Sequence, residues 1–440
     1  MTDRTRRALF VAYYFPPMGL SGVQRTLKFA RYLSHYGWSP TVLTVGPTGY
    51  FAFDPTLLKE VEEAEIKVIR TGSFDPNRMF KGKGPVRMPS ERMRKFLQFL
   101  GDLFFIPDTK IGWKRKAVKA GSEFLKNNPC DAIIATAPPQ TDFLIGLALK
   151  KKFKIPLVLD YRDAWLDYPF KYFPTPYHRW RHQRLEKKLV RGCDRIIVTH
   201  RRVKETLVKR YPFLTYHDVT IVSQGYDRSD FNFPPAESVS SVRKLKITHS
   251  GTFYGGRSPA VLIQAVHRVL KDSPQLRGRI EVNFVGNTRR EDQNLVRKLG
   301  LQNEINFLGY LEHHVSSKHL VEADVLWFVL DNDFQSPGKL YEYFGAKKPI
   351  LASVVDGYMK QLLIESKAAF CVPLNDRAAH EQALLDLLKL FEERRLPKPS
   401  DEFVDRFDRR MLTGELAKVL ETLMDIDHQA FVRVGEGSAR

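Results

Sequence analysis

At 440 residues the chain exceeds one ordinary domain, and its 43% hydrophobic content is that of a globular protein, not a disordered one. A net charge of +20 calls for an anionic partner or surface, such as nucleic acid, anionic lipid or a phosphorylated substrate. The three cysteines, Cys130, Cys193 and Cys371, stand far apart at spacings that suit neither a metal site nor a disulfide framework, which points to a reducing compartment.

The N-terminus has basic residues and then a short apolar run, Ala8 to Phe15, closed by Pro16-Pro17. It is too short for a secretory signal core, and no stretch approaches the length of a membrane span. Residues 8–14 read as a strand, and 22–36 as a helix with Val23, Leu27, Ala30 and Leu33 on one face. Further strands are predicted over 41–45, 132–135, 157–161, 195–199 and 219–223, with helical stretches between. The polar, Pro-rich stretch 232–238 reads as a linker. The alternation then restarts, with strands over 246–249, 281–285, 305–307, 325–330, 350–354 and 370–372. An amphipathic segment over 410–424 carries Leu412, Leu416, Val419 and Leu423 on one face. This is an α/β chain of two Rossmann-like, doubly wound parallel-sheet domains, expected at 1–235 and 236–400. Residues 401–440 form a helix returning to the first domain, plus a tail.

The sharpest local signal is Ser336-Pro337-Gly338-Lys339-Leu340-Tyr341-Glu342-Tyr343. It sets a cation, a carboxylate and a helix N-terminus at the carboxyl edge of a parallel sheet. Helix N–H groups and Lys339 suit phosphate, and Glu342 suits hydroxyls, so a nucleotide carrying a sugar fits. Gly19 and Gly22 after the first strand allow close backbone approach to an anion, or simply make a strand-to-helix turn. Asp160-Tyr161-Arg162-Asp163 follows an apolar strand, where Arg162 and Asp163 either face a ligand or cap the next element. Gly251 to Pro259 repeats the strand–glycine–helix device, with Arg257 placed for a diphosphate or left as a solvated loop residue. Asp331-Asn332-Asp333 reads as a turn in preference to a metal site, and no histidine spacing suits a metal.

Taken in order, these motifs resemble the family 4-type glycosyltransferases. The carrying residues are Phe10 to Pro17 with Gly19, Gly22 and Arg25, then Ala137-Pro138-Pro139 and Tyr161-Arg162-Asp163. Gly225-Tyr226-Asp227, the Gly251 to Pro259 loop and Gly338-Lys339 with Glu342-Tyr343 complete the series. The opening resembles a bacterial subgroup linked to surface polysaccharide. The resemblance implies a GT-B fold, two Rossmann-like domains facing a central cleft, and a nucleotide-diphosphate sugar as co-substrate with no cofactor and no metal. It implies that Glu342 holds the donor ribose, that Arg257 binds phosphate and that Gly19 and Gly22 face donor and acceptor. Arg162 and Asp163 fall where relatives carry His-Asp beside the transferred sugar. Gly338, Gly251, Tyr254 and Tyr226 complete the expected donor site. Two departures stand out: Phe334 occupies the place of the first Glu of the E-x7-E motif, and Thr252 the place of an expected Arg. Lys339 is read as supplying the second positive charge, and retention is implied less firmly without the first Glu.

Transfer of a sugar needs stabilisation of the leaving diphosphate and orientation of the acceptor. Arg257 and Lys339 serve the first need, and Asp163 the second. Between Lys81 and Lys126 twelve Lys and Arg face four acids, around an aromatic-rich amphipathic stretch over 92–106. A second basic run, His178 to Arg202, contains Trp180, Arg181, Arg184, Lys187 and Lys188. These read as an interfacial surface for an anionic membrane bearing a lipid-linked sugar acceptor, or as core-facing helices with solvated basic edges. The expectation is a cytoplasmic enzyme, peripheral at the inner face of the cell membrane and not bound to nucleic acid. The competing readings are a GT-B nucleotide-sugar epimerase and a non-catalytic basic protein that binds nucleic acid or membrane.

Overall fold

The computed structural model describes residues 5–19, 21–47, 53–74, 91–169, 171–233, 243–253 and 257–437. The chain divides into two compact units, residues 1–224 with 409–440, and residues 225–408. Tyr254, the basic residues 81–87 and the greater part of the 232–238 stretch lie outside the described residues.

Among the described residues the first unit holds seven parallel strands: β1 Arg6–Val11, β2 Trp38–Val45, β3 Lys67–Thr71, β4 Ala132–Ala137, β5 Leu157–Tyr161, β6 Arg195–Val198 and β7 Val219–Ile221. Their order is β3-β2-β1-β4-β5-β6-β7. The second unit holds six: β8 Leu245–Ser250, β9 Ile280–Val285, β10 Ile305–Gly309, β11 Val325–Leu330, β12 Ile350–Val354 and β13 Ala369–Val372, in the order β10-β9-β8-β11-β12-β13. Each sheet reverses direction of growth beside its first strand, at β1/β4 and at β8/β11. That is where a doubly wound sheet opens a crevice at its carboxyl edge.

Central strands are buried on both faces and read as unbroken apolar runs, as in Val-Leu-Trp-Phe-Val-Leu of β11. β3, Lys-Val-Ile-Arg-Thr, was not anticipated. It is an edge strand with no buried residue, so it carries no apolar run. The helix Ser21–Leu33 buries Val23, Leu27, Ala30 and Leu33 as expected, but Lys28 is also buried and pairs with Glu60 at 2.7 Å. The additional cover comes from the helix Arg409–Gly437, whose Leu412, Leu416 and Leu420 join the first unit's core.

One buried ion pair ties this unit together. Arg25 Nε and Nη2 donate to the Asp160 carboxylate at 2.9–3.2 Å, Nη1 donates to the Ser223 carbonyl at 2.7 Å, and Nη2 also reaches the Val222 carbonyl at 2.9 Å. Thr136 donates a further bond to Asp160 at 2.9 Å. Asp160→Ala would strand the Arg25 cation in the core and is expected to cost about 3–5 kcal/mol, whereas pairing Asp160→Leu with Arg25→Met recovers part of it. Urea unfolding of the three proteins checks this. Equal stability of Asp160→Ala and wild type would contradict it.

Candidate active site

In the first unit the run from Asp160 to Asp163 leaves β5 at the carboxyl edge of the sheet. Pleating sends Asp160 to Arg25 and Tyr161 to the opposite side, where its ring lies 4.7 Å from that of Phe143. Arg162 is buried. Its Nη1 donates to the Gly22 carbonyl at 2.6 Å, its Nε to the Ala137 carbonyl at 3.4 Å, and its Nη2 to the Pro138 carbonyl. The guanidinium therefore holds the β4 exit and the start of the first helix in place. This also explains Gly22: a Cβ there would lie 2.1 Å from Arg162 Nη1. Gly19 lies in the preceding loop, partly exposed.

Asp163 differs from both neighbours. It is only partly buried, and its carboxylate has no hydrogen-bond partner among the described residues. Burial raises its pKa above the usual carboxylate range, and the Arg162 charge opposes that only in part. It is a carboxylate at a sheet edge with its acceptor capacity unspent, suited to receive a hydroxyl.

In the second unit Arg257 and the chain after β11 meet across the β8/β11 crevice. Arg257 Nε donates to Asp331 Oδ1 at 2.8 Å and Nη2 to Gln335 Oε1. Asn332 braces both acceptors, its Nδ2 lying 2.9 Å from Asp331 and 3.0 Å from Gln335. Asp331 is thus committed to Arg257, and among the described residues no three His, Cys, Asp or Glu side chains assemble as a metal site. Helix Gly338–Gly345 begins here, and Lys339 Nζ lies 2.6 Å from Glu342 Oε2 one turn on. Just before helix Ala260–Asp272, Ser258 Oγ accepts the Ala260 N–H at 3.1 Å and donates to Asp292 at 2.9 Å.

The expected donor residues Arg257, Lys339, Glu342, Gly338 and Gly251 all lie in this unit. Tyr226 is placed elsewhere in it. Its ring is buried against Gly345, where a Cβ would stand 2.3 Å away, and its backbone N–H bonds the Phe407 carbonyl at 3.0 Å. It packs the back of the Gly338 helix.

Several residues of this region were not singled out. Gly286 has φ of +123°, and a Cβ there would collide with the Gly251 carbonyl at 2.1 Å, so glycine lets β8 and β9 end in contact. Tyr343 receives the Ser250 N–H at 2.7 Å, fixing the Glu342 turn to the end of β8. Ser250 Oγ lies 2.8 Å from Ser316 Oγ. His249 is buried, its Nδ1 donating to the Trp327 carbonyl at 2.9 Å and its ring stacked on Phe253. Burial pushes its pKa down to about 4 against that hydrogen bond, and the Lys339 and Arg257 charges push the same way, so the ring stays neutral. His313 Nε2 lies 2.9 Å from Asp230 Oδ2. Of these, Tyr343 follows Glu342 in one recognised motif and Ser250 opens the stretch that runs on to Pro259 in another.

Comparisons with known proteins follow the two units. Residues 21–230 match the family model described as Glycosyltransferase Family 4, and residues 244–390 the model described as Glycosyl transferases group 1. A curated relative, the D-inositol 3-phosphate glycosyltransferase of Geodermatophilus obscurus, is 25% identical over 187 residues, 39% of this chain; the match spans 40% of that protein's length. Among solved structures, a glycosyltransferase from Rickettsia africae ESF-5 matches with a TM-score of 0.63 at 15% identity, over 95% of this chain and 98% of that one. HepE of Anabaena, solved in complex with UDP and glucose, matches with a TM-score of 0.61 at 15% identity, over 95% of this chain and all of its own. The structural likenesses carry the fold and the two family models carry the rest: the chain belongs to the family 4-type glycosyltransferases, enzymes of the GT-B fold.

Proposed function

We propose that this protein transfers a sugar from a nucleotide-diphosphate sugar to a lipid-linked or polysaccharide acceptor, with retention and without a metal ion. The observation that carries the donor half is the Lys339–Glu342 pair at the start of helix Gly338–Gly345, beside Arg257 at the β8/β11 switch point. The two cations and the helix N-terminus suit the charge that develops on a leaving diphosphate. Glu342 suits the ribose hydroxyls. The structurally similar HepE, solved with UDP and glucose, supports a donor of this class. Asp163 takes the role of contacting acceptor or sugar hydroxyls, and Arg162 positions it.

The membrane half rests on the surface of the first unit. Helix Glu91–Phe104 exposes Met93, Phe96, Leu97 and Phe104. The helix Pro176–Gly192 exposes Tyr177, Trp180, Arg181, Arg184 and Lys187. Lys171 pairs with Asp102 at 2.6 Å, and His178 Nε2 meets the Leu103 carbonyl at 3.0 Å, so the two helices present neighbouring surfaces. Arg184 lies over the Trp180 ring at 4.9 Å. Aromatic and basic side chains side by side suit the headgroup region of an anionic bilayer. No described helix is long and apolar enough to cross a membrane.

Calorimetry with UDP, GDP, ADP and CMP tests the donor site. One diphosphate is expected to bind, and Glu342→Ala to weaken it by about 10- to 100-fold, the worth of one or two hydrogen bonds to a charged group. Binding by none would remove the donor reading. The anomeric configuration of the product, followed by NMR with and without EDTA, checks retention and metal independence. In vesicle flotation, wild type is expected to bind anionic but not zwitterionic vesicles, and Phe96→Ser with Trp180→Ser to lose that binding. Duplex DNA captured in their place would favour the nucleic-acid alternative.

Asp163 gives a separate prediction. Its folded pKa is raised, so the fold favours its protonated form, and wild type loses that contribution as pH rises from the ordinary carboxylate value through the raised one. Asp163→Asn is therefore expected to be at least as stable as wild type at neutral pH while turnover falls by about 100-fold or more. Thermal unfolding beside an activity assay checks both. A destabilised variant with full turnover would refute the assignment.

A further inference from the structure

Ser250 brings two helices to one strand end. Its hydroxyl meets Ser316 in the first turn of helix His313–Glu322, and its N–H meets the Tyr343 hydroxyl beside Glu342. His313 opens the first of these helices. Its Nε2 lies 2.9 Å from Asp230 Oδ2, with the two side chains 14% and 15% exposed. The charges of Glu342 and Lys339 act on its ring. His313 thus stands within the electrostatic reach of the donor pair.

The cations of this region are each matched by a carboxylate, so the balance left for an incoming anion depends on the charges around them. Arg257 is matched by Asp331 and Lys339 by Glu342. Arg289, which donates to the Arg257 carbonyl at 3.2 Å, is offset by Asp292. Asp230 adds a negative charge that is cancelled when the His313 ring is protonated. We propose that His313, held by Asp230, is a further donor-binding residue: its charged ring cancels the Asp230 carboxylate and admits the diphosphate, so donor affinity follows the protonation of this ring. The inference rests on the donor reading above.

The surroundings favour the charged ring. Burial opposes it, but the Asp230 charge and hydrogen bond, with the Glu342 charge, outweigh burial and Lys339, and the pKa lies above the usual histidine value. The charged groups that act on the ring are Asp230 from the turn Arg228–Phe231, and Glu342 and Lys339 from helix Gly338–Gly345. The carboxyl end of β8 meets the same helix turn through the neutral Ser250 hydroxyl on Ser316. A histidine raised in this way exerts its full effect below its unperturbed value and loses it as pH climbs through the raised one.

The test is calorimetry with UDP, and with GDP if UDP does not bind, from about pH 6.5 to about pH 8.5. Wild type is expected to bind about tenfold more weakly at the alkaline end, as one lost charge pairing implies, while His313→Gln is weak and flat throughout. The phosphate's own ionisation affects both proteins equally and drops out of the difference. Asp230→Asn is expected to bind more tightly than wild type at the alkaline end, because the carboxylate that the ring must cancel is gone. A merely structural Asp230 would not produce that gain. Parallel profiles for wild type and His313→Gln, with Glu342→Ala still defective, overturn the assignment of His313 and leave the donor site standing. No binding of either nucleotide to wild type overturns both.

Discussion

The geometry of the first unit depends on the buried contact between Arg25 and Asp160. An ion pair with almost no exposure contributes little net stability, because desolvation offsets most of the attraction. What it supplies is a single permitted arrangement. Arg25 can satisfy its donors only if the first helix, β5 and the chain beyond β7 stand where they do, since the Val222 and Ser223 carbonyls complete the set. Two residues on, just past the end of β5, Arg162 grips the same helix through the Gly22 carbonyl. The N-terminus of helix Ser21–Leu33 is therefore clamped at two points by one strand. The position of the glycine loop follows from that clamp and not from the loop's own sequence.

The second unit solves a similar problem with neutral groups. Ser250, at the carboxyl end of β8, is held by the Tyr343 hydroxyl and by Ser316, so two helix starts are referred to one strand end. Around it the cations are already paired. Arg257 with Asp331 and Lys339 with Glu342 keep the long side chains ordered before any ligand arrives, which removes part of the entropy cost of binding. The same pairing means that a diphosphate must displace or share these carboxylates. Charge matching within the site thus trades gross attraction for order, and the residual imbalance falls on the Asp230–His313 couple.

Much of the architecture was legible because buried parallel strands carry a strong signal. β4, β5, β11 and β12 are buried along their whole length and mostly apolar, with Thr136, Asp160 and Ser353 as the polar exceptions, and each was placed to within two residues. β3 was not, since an edge strand with Lys and Arg has no such run. The chemistry was legible only where it was local. Lys339 and Glu342 share one helical turn, so the sequence already places them together. Arg162 and Tyr226 show the limit. A sequence pattern does not distinguish an arginine that binds a ligand from one that binds three carbonyls. Nor does it distinguish a tyrosine in a pocket from one packed on Gly345. Gly286 and the Asp230–His313 couple arise from contacts between distant segments, which no local spacing encodes.

Within the Asp160 to Asp163 run, function is marked by what is missing. Three of the four side chains are spent: Asp160 on Arg25 and Thr136, Tyr161 on the core, Arg162 on backbone carbonyls. Asp160 and Arg162 thereby satisfy groups that would otherwise be costly orphans, while Tyr161 is spent on packing and its buried hydroxyl has no partner among the described residues. Of the four, Asp163 keeps a carboxylate with no hydrogen-bond partner among the described residues, and the fold carries that as a raised pKa that the Arg162 charge only partly offsets. A structural role would have favoured a partner for it, because partners are plentiful at this edge: the Arg162 guanidinium is adjacent and is turned to carbonyls instead. The strand thus sets its arginine to hold the frame and leaves its terminal acid open, which is the arrangement expected where the missing partner is a substrate hydroxyl.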